Sequence, residues 1–91
     1  MSYNTQQVHA LTLVCLGVIE AVEAAGVQGA PAGILYAGMH AQGATFAQFQ
    51  DVMATLVRPG YLAIEQDSYV STAETQHIKA NLTHTLTVFA R

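Results

Sequence analysis

Four histidines are the side chains that a metal site in this chain would use first. His9, His40, His77 and His84 fall on three different predicted elements, and no cysteine or carboxylate stands at ligand spacing beside them. Structural and catalytic zinc sites draw instead on closely spaced Cys and His ligands. Histidines dispersed in this way are typical of surface or core-edge positions, so the sequence predicts no metal site.

Nucleophilic and acid–base chemistry have equally few candidates. Cys15 is the only cysteine and lies within an apolar run, where a thiol stays protonated and unreactive. Glu20 and Glu23 share one side of a predicted helix and are typical of a solvated edge near its end. No Ser-His-Asp or Cys-His arrangement can be assigned, and no glycine-rich phosphate loop is present. The sequence therefore indicates a non-enzymatic protein without a cofactor.

Charge is scarce in this chain and its balance is acidic. Only 10% of the 91 residues are charged and 52% are hydrophobic, whereas an ordinary soluble domain carries about 25% charged residues. Six acidic residues outnumber the three basic ones, Arg58, Lys79 and Arg91, which gives a formal net charge of -3. Clustered Lys and Arg mark a nucleic-acid-binding surface, so this balance argues against one. A surface so poor in charge is expected to be covered by a partner, most simply a second copy of the chain.

The apolar run Leu11–Ile19 raises the question of a membrane. No basic segment precedes the run, and its nine residues are far fewer than the roughly 20 that span a bilayer. A single cysteine fits a reducing compartment. We therefore expect a cytoplasmic protein that does not associate with membranes.

Two long outer helices should position the rest of the chain. The first covers residues 2–25, with Asn4 or Thr5 as its cap, and Gly26 ends it. The last covers residues 72–90 and begins with a capping box formed by Ser71 and Glu74. Both carry apolar stripes at helical spacing, which we expect to form a dimer interface. The candidate interface residues are Leu11, Val14, Val18, Ile78, Leu82, Leu86 and Phe89.

Between these helices the sequence predicts a helix-turn-helix. Val27–Gly29 is expected to be a linker, and Pro31 should occupy the first turn of a helix over residues 31–41. The turn follows at residues 42–44, with Gly43 at positive φ. Ile34, Leu35, Ala37 and Gly38 or Met39 should form the inner face of that helix.

A second helix over residues 45–57 should begin with a capping box formed by Thr45 and Gln48. Phe46, Phe49, Met53 and Leu56 recur along one side of it and are expected to face the core.

A β-hairpin is predicted after the second of these helices. Pro59 and Gly60 stop the helix, and residues 61–72 then show strand-like alternation with Leu62 and Ile64 on the inner side. The reversal should fall at Gln66–Asp67. Tyrosines at positions 36, 61 and 69 are expected to fill the interface between the hairpin and the helices.

Helix, short turn, helix and hairpin in this order, over residues 30–72, resemble the winged helix-turn-helix domain of small bacterial transcription regulators. The matching segments are Pro31–Ala37, Thr45–Phe49 and Leu56–Leu62. In that superfamily a Ser or Thr caps the second helix, and a leucine and a glycine lead into the wing. The resemblance implies one domain over residues 1–91. It would be mainly α with a small β-hairpin: an N-terminal helix (1–26), a helix-turn-helix with its wing (30–72) and a C-terminal helix (72–91).

The same resemblance implies a DNA-binding regulator that presents its second helix and wing to the double helix. The candidate DNA-binding residues are Thr45, Gln48, Gln50, Asp51, Thr55, Arg58 and Gln66. This chain departs from the superfamily where it matters for affinity, because the wing tip reads Glu65-Gln66-Asp67 and the helix lacks its usual Lys and Arg. The alternative is a protein-interaction module that keeps the scaffold without binding DNA, as an accessory protein of phage or plasmid type would.

Overall fold

The computed structural model describes residues 5–89 and the side chains of residues 6–86. The predicted beginning of the first helix at residues 2–4, with its Asn4 cap, and the predicted end at Ala90 lie outside the described residues. Four α-helices surround a small antiparallel sheet. The helices are α1 (Thr5–Ala25), α2 (Ala32–Ala41), α3 (Phe46–Val57) and α4 (Thr75–Phe89), and the strands are β1 (Ala30–Pro31), β2 (Leu62–Glu65) and β3 (Ser68–Ser71). The mainly helical fold with a small hairpin is confirmed.

The sheet contains one strand more than the sequence predicts. Its order is β1-β3-β2, with Ala30 opposite Tyr69 and Pro31 opposite Ser68. Val27 and Gln28, predicted as part of a linker, belong to a short 3₁₀ turn, Gly26–Gln28, that connects α1 to β1. Pro31 is the N-cap of α2 and not its first residue. A proline is tolerated at this position because β1 is an edge strand.

The hairpin closes as predicted at Gln66–Asp67. Both residues have positive φ, 49° and 64°, which is the pattern of a type I′ turn whose twist matches that of the strands. Leu62 and Ile64 lie on one side of β2, but only Leu62 is buried. Ile64 is exposed, so the predicted inner side of β2 is buried only at Leu62.

Threonine hydroxyl groups cap the starts of α3 and α4. Thr45 and Gln48 form the predicted capping box at the start of α3. The second predicted capping box is displaced by one residue. Thr72 Oγ1 accepts from the Glu74 amide at 3.1 Å, and Thr75 Oγ1 accepts from the Thr72 amide at 2.8 Å. Ser71 instead completes strand β3, because its place opposite Leu62 extends the hairpin ladder.

The core lies where α1 and α3 meet the sheet. Its buried side chains are Cys15, Val18, Ile19, Val22, Ala30, Leu35, Phe49, Val52, Met53, Leu56 and Leu62. Of the apolar residues predicted to form the buried side of α3, Phe49, Met53 and Leu56 are buried and Phe46 is exposed. On α2, Leu35 is buried and Met39 is partly buried against the core, but Ile34, Ala37 and Gly38 are exposed, so the predicted inner face is correct only in part.

Helices α1 and α4 pack against each other within one chain. Leu11, Val14, Ile78 and Leu82 are partly buried against the core, and Leu86 is half-buried. Val18 belongs to the core and is 5% exposed, so it has little surface to offer a partner. The Phe89 side chain is outside the described part of the chain. The two stripes predicted as a dimer interface are therefore used in large part inside the protomer.

Helix α1 is apolar beyond its buried side. Residues 6–28 have the length to cross a membrane, and the most apolar 18-residue window within them has a mean hydropathy of 1.9. The apolar run Leu11–Ile19 is shorter than a membrane span, as the sequence indicates, but the helix as a whole is long enough to be one. Core helices of soluble proteins have the same composition, and one such helix is weak evidence for either location.

Gly29 is required where the chain enters β1. Its φ of 80° is unfavourable for other residues, and a Cβ there would lie 2.8 Å from Val70 Cγ1 and 2.9 Å from the Tyr69 carbonyl. We expect Gly29→Ala to lower the free energy of unfolding by about 1–3 kcal/mol, measured by urea titration. Gly26→Ala is the control, because Gly26 also has positive φ but its Cβ would meet open space. Equal effects of both substitutions would show that the contact with β3 is unimportant.

Candidate interaction surface on helix α3 and the hairpin

All seven residues predicted to contact DNA are exposed. Five lie on α3 or at its N-cap, Arg58 is its C-cap, and Gln66 is in the hairpin turn. Three of them use polar groups for the helix itself. Thr45 Oγ1 accepts from the Gln48 amide at 3.1 Å, and Gln48 Oε1 accepts from the Thr45 amide at 2.8 Å. Thr55 Oγ1 donates to the Asp51 carbonyl at 2.8 Å. Gln50, Asp51, Arg58 and Gln66 therefore remain as the side chains most available to a partner.

Next to these residues a groove runs between α3 and the hairpin. Its volume is about 490 Å³. The side chains that line it are Ala32, Phe46, Phe49, Gln50, Met53, Ala54, Val57, Arg58, Ile64 and Tyr69. Only Gln50 and Arg58 have amide or charged groups, so the groove is apolar over most of its length. We call it the α3–hairpin groove.

Two large apolar side chains at this groove are open to solvent. Phe46 is 53% exposed and Ile64 is 55% exposed. Sequence reasoning placed both in the core, because helical and strand periodicity identify the side on which a residue lies but not how far the opposing element extends. Scattered apolar residues on a surface are ordinary, whereas a concave apolar surface between two elements is typical of a binding site.

Aromatic contacts hold Phe46 at the edge of this groove. The Tyr36 ring lies 5.2 Å from the Phe46 ring in an edge-to-face arrangement and 5.4 Å from the Phe49 ring. Phe46 and Phe49 are 6.1 Å apart. Such pairs stabilise a ring position beyond simple burial. Phe46 is therefore presented to solvent by a cluster whose inner member, Phe49, belongs to the core.

The exposed charge on α3 and the hairpin is mostly acidic. Asp51 is exposed on α3, and Glu65 and Asp67 are exposed on the hairpin. Arg58 is the only Lys or Arg on these two elements. Lys79 is on α4, where Nζ lies 2.9 Å from Glu23 Oε1. This hydrogen bond and the Glu23 charge raise the Lys79 pKa. The second side chain that contacts Glu23 is Gln76, so this cluster ties α4 to α1.

The groups that could carry catalysis remain apart. Cys15 is buried in α1, and burial raises the pKa of its thiol. His40 Nδ1 lies 3.2 Å from the Ala44 carbonyl, and His77 Nε2 lies 3.5 Å from Asn81 Nδ2. Within residues 5–89 no three His, Cys, Asp or Glu side chains are grouped as a metal ion would require.

No family model, curated protein or solved structure matches this chain. Function therefore has to be argued from the chemistry of the surface.

Proposed function

We propose that this chain is a non-enzymatic protein-docking module on a winged helix scaffold, and that it binds its partner in the α3–hairpin groove. The scaffold proposal is supported by the order of α2, a short turn, α3 and the β2–β3 hairpin, flanked by two longer helices. That order is the one implied by the resemblance to winged helix regulators. The two-residue strand β1 extends the hairpin into a three-stranded sheet.

The observation that carries the docking proposal is that Phe46 and Ile64 are exposed beside the face that a winged helix regulator turns toward DNA. A phosphate backbone gains nothing from apolar side chains, whereas a protein segment gains about 1.5–3 kcal/mol for each large apolar side chain that it buries. DNA affinity depends instead on Lys and Arg that neutralise phosphates. The α3 and hairpin surface offers Arg58 alone against Asp51, Glu65 and Asp67.

These features also define the chemistry of the partner. The groove suits a protein segment with one or two large apolar side chains that contact Phe46 and Ile64. The exposed carboxylates of α3 and the hairpin favour a partner that also carries Lys or Arg, because charge complementarity raises the association rate and selects among partners. Arg58, at the C-terminal end of α3, would pair with a carboxylate of the partner.

A peptide-display selection tests this proposal. Selected peptides should combine a large apolar residue with Lys or Arg. Phe46→Ser and Ile64→Ser should weaken their binding by about 10–100-fold, since each removes roughly one buried apolar contact. Val27→Ser is the matched control, because Val27 is also exposed but does not line this groove. Peptides that bind all three variants equally, or a selection that enriches nothing, would contradict the proposal.

A DNA-binding regulator is the second candidate, and exposed Gln50 favours it, because a glutamine side chain can read an adenine edge in the major groove. The two candidates separate in a fluorescence anisotropy titration with duplex DNA at low salt. The docking proposal predicts no binding tighter than about 10⁻⁴ M, the weak end of non-specific protein–DNA affinity. Tighter binding that falls steeply as salt rises would favour the regulator.

A further inference from the structure

A second apolar groove lies between α1 and α2, away from the hairpin. Its volume is about 400 Å³. The residues that line it are Leu13, Val14, Gly17, Val18, Ala21, Ile34, Leu35, Gly38, Met39, Gln42 and Ala44. None of them is ionisable, and Gln42 is the only one with a polar side chain. We call it the α1–α2 groove.

Large and small side chains are separated along this groove. Leu13 is 49% exposed and Ile34 is 68% exposed, so both project into solvent. Gly17, Ala21 and Gly38 also line the groove but are too small to fill it. The surface thus carries both protruding apolar side chains and the space that such side chains could enter.

The exposed side of α1 has a spacing that is symmetric about Gly17. Leu13 and Ala21 lie four residues before and after it, and Ala10 and Ala24 lie seven residues before and after it. All five residues are exposed. Because residues four and seven apart share one side of a helix, they form a single stripe along α1. If a second α1 ran antiparallel across this stripe at Gly17, each Leu13 would lie over Ala21 of the second copy.

We propose that two copies of this chain associate through the α1–α2 groove, with the two-fold axis at Gly17. This interface shares Val14 and Val18 with the stripes that the sequence suggests but otherwise uses α2 and the exposed side of α1, and it is independent of the docking proposal. A two-fold interface has to be complementary to itself. The symmetric stripe meets that requirement, because the protruding Leu13 of one copy enters the space beside Ala21 of the other.

The uncharged lining of this groove is compatible with a second copy of the chain. The area of the surface limits the strength of the association. The lining has no charge that would select an ionic partner. A 21-residue α1 and a 10-residue α2 are about 31 Å and 15 Å long and about 10 Å wide, which gives about 460 Å² of flat surface per protomer. Standard interfaces bury about 800 Å² per partner, so the dimer should be weak, in the micromolar range or above.

Sedimentation velocity over a concentration series tests this inference. Wild-type protein should pass from monomer to dimer between about 5 and 500 µM, a range that suits a weak interface. Gly17→Lys should abolish the transition, because a long side chain prevents close approach. The substitution leaves the protomer intact, since nothing lies within 4 Å of a Cβ at Gly17. Ala80→Lys, on the exposed side of α4, is the matched control and should dimerise like wild type.

Salt and crosslinking give two further readouts. Each copy has a formal charge of -3, so added salt should strengthen association by screening the repulsion between copies. Gly17→Cys should form an intermolecular disulfide on oxidation, because the two Cα atoms would meet at the symmetry axis within the roughly 7 Å that a disulfide allows. Ala80→Cys should not. A wild-type monomer throughout the series, or Gly17→Lys that still dimerises, would overturn the inference.

Discussion

Replacing Ile19 with alanine should lower the free energy of unfolding by about 3 kcal/mol, because the side chain is fully buried at the centre of α1 and the surrounding core cannot collapse into the cavity that remains. For a domain of this size the melting temperature should fall by about 12–24 °C. Urea or thermal denaturation followed by circular dichroism measures the effect.

Ile34→Ala is the matched control for that measurement. The chemical change is the same and the residue also lies on a helix, but Ile34 is 68% exposed. Its effect on stability should stay within about 0.5 kcal/mol, provided that the protein is dilute enough to be monomeric. If the two substitutions destabilise the protein equally, the assignment of the buried side of α1 is wrong.

Replacing Thr75 with valine should cost about 2–4 kcal/mol, although the two side chains have nearly the same shape. Thr75 is 1% exposed. Its hydroxyl donates to the Tyr61 carbonyl at 2.7 Å and accepts from the Thr72 amide at 2.8 Å. Valine leaves the Thr72 amide without this acceptor, and leaves Tyr61 only a 3.4 Å contact from Thr72 Oγ1. A buried polar group without a partner is costly because water cannot replace the bond.

Thr55→Val provides the comparison, since Thr55 is exposed and bonds only to the Asp51 carbonyl one helical turn before it. It should change stability by no more than about 0.5 kcal/mol. Thr75→Ser keeps the hydroxyl and should recover most of the loss seen with valine. Equal results for Thr55→Val and Thr75→Val would mean that the link between α4 and the residues before β2 contributes nothing.

Local chemistry explains what the sequence could predict. A capping box needs only residues three apart, so Thr45 and Gln48 mark the start of α3 correctly. Gly43 has positive φ in the turn between α2 and α3, as expected of a residue without a Cβ. The long apolar segment of α1 is also recognisable, because helical spacing persists over more than five turns.

Contacts between distant segments explain what the sequence could not predict. Strand β1 has two residues, too few for any alternation, and its partner Tyr69 lies nearly 40 residues later. Phe46 and Ile64 are apolar and correctly spaced for the core, but both are exposed at the α3–hairpin groove. That groove is lined by residues of separate elements, so sequence periodicity alone could not have found it. Six of the seven residues predicted to contact DNA lie on α3 or at its caps, and Gln66 lies in the hairpin turn, so their exposure followed from local polarity.

The contact between α1 and α4 also determines when this protein can finish folding during synthesis. Lys79 of α4 reaches back to Glu23 of α1, 56 residues earlier in the chain. At about 5–20 residues per second, a ribosome needs about 3–10 s for the roughly 50 residues that separate the two helices. Throughout that interval the apolar side of α1 that later faces Ile78 and Leu82 is bare. Nascent chains released before α4 is made would therefore be substrates for chaperones and proteases.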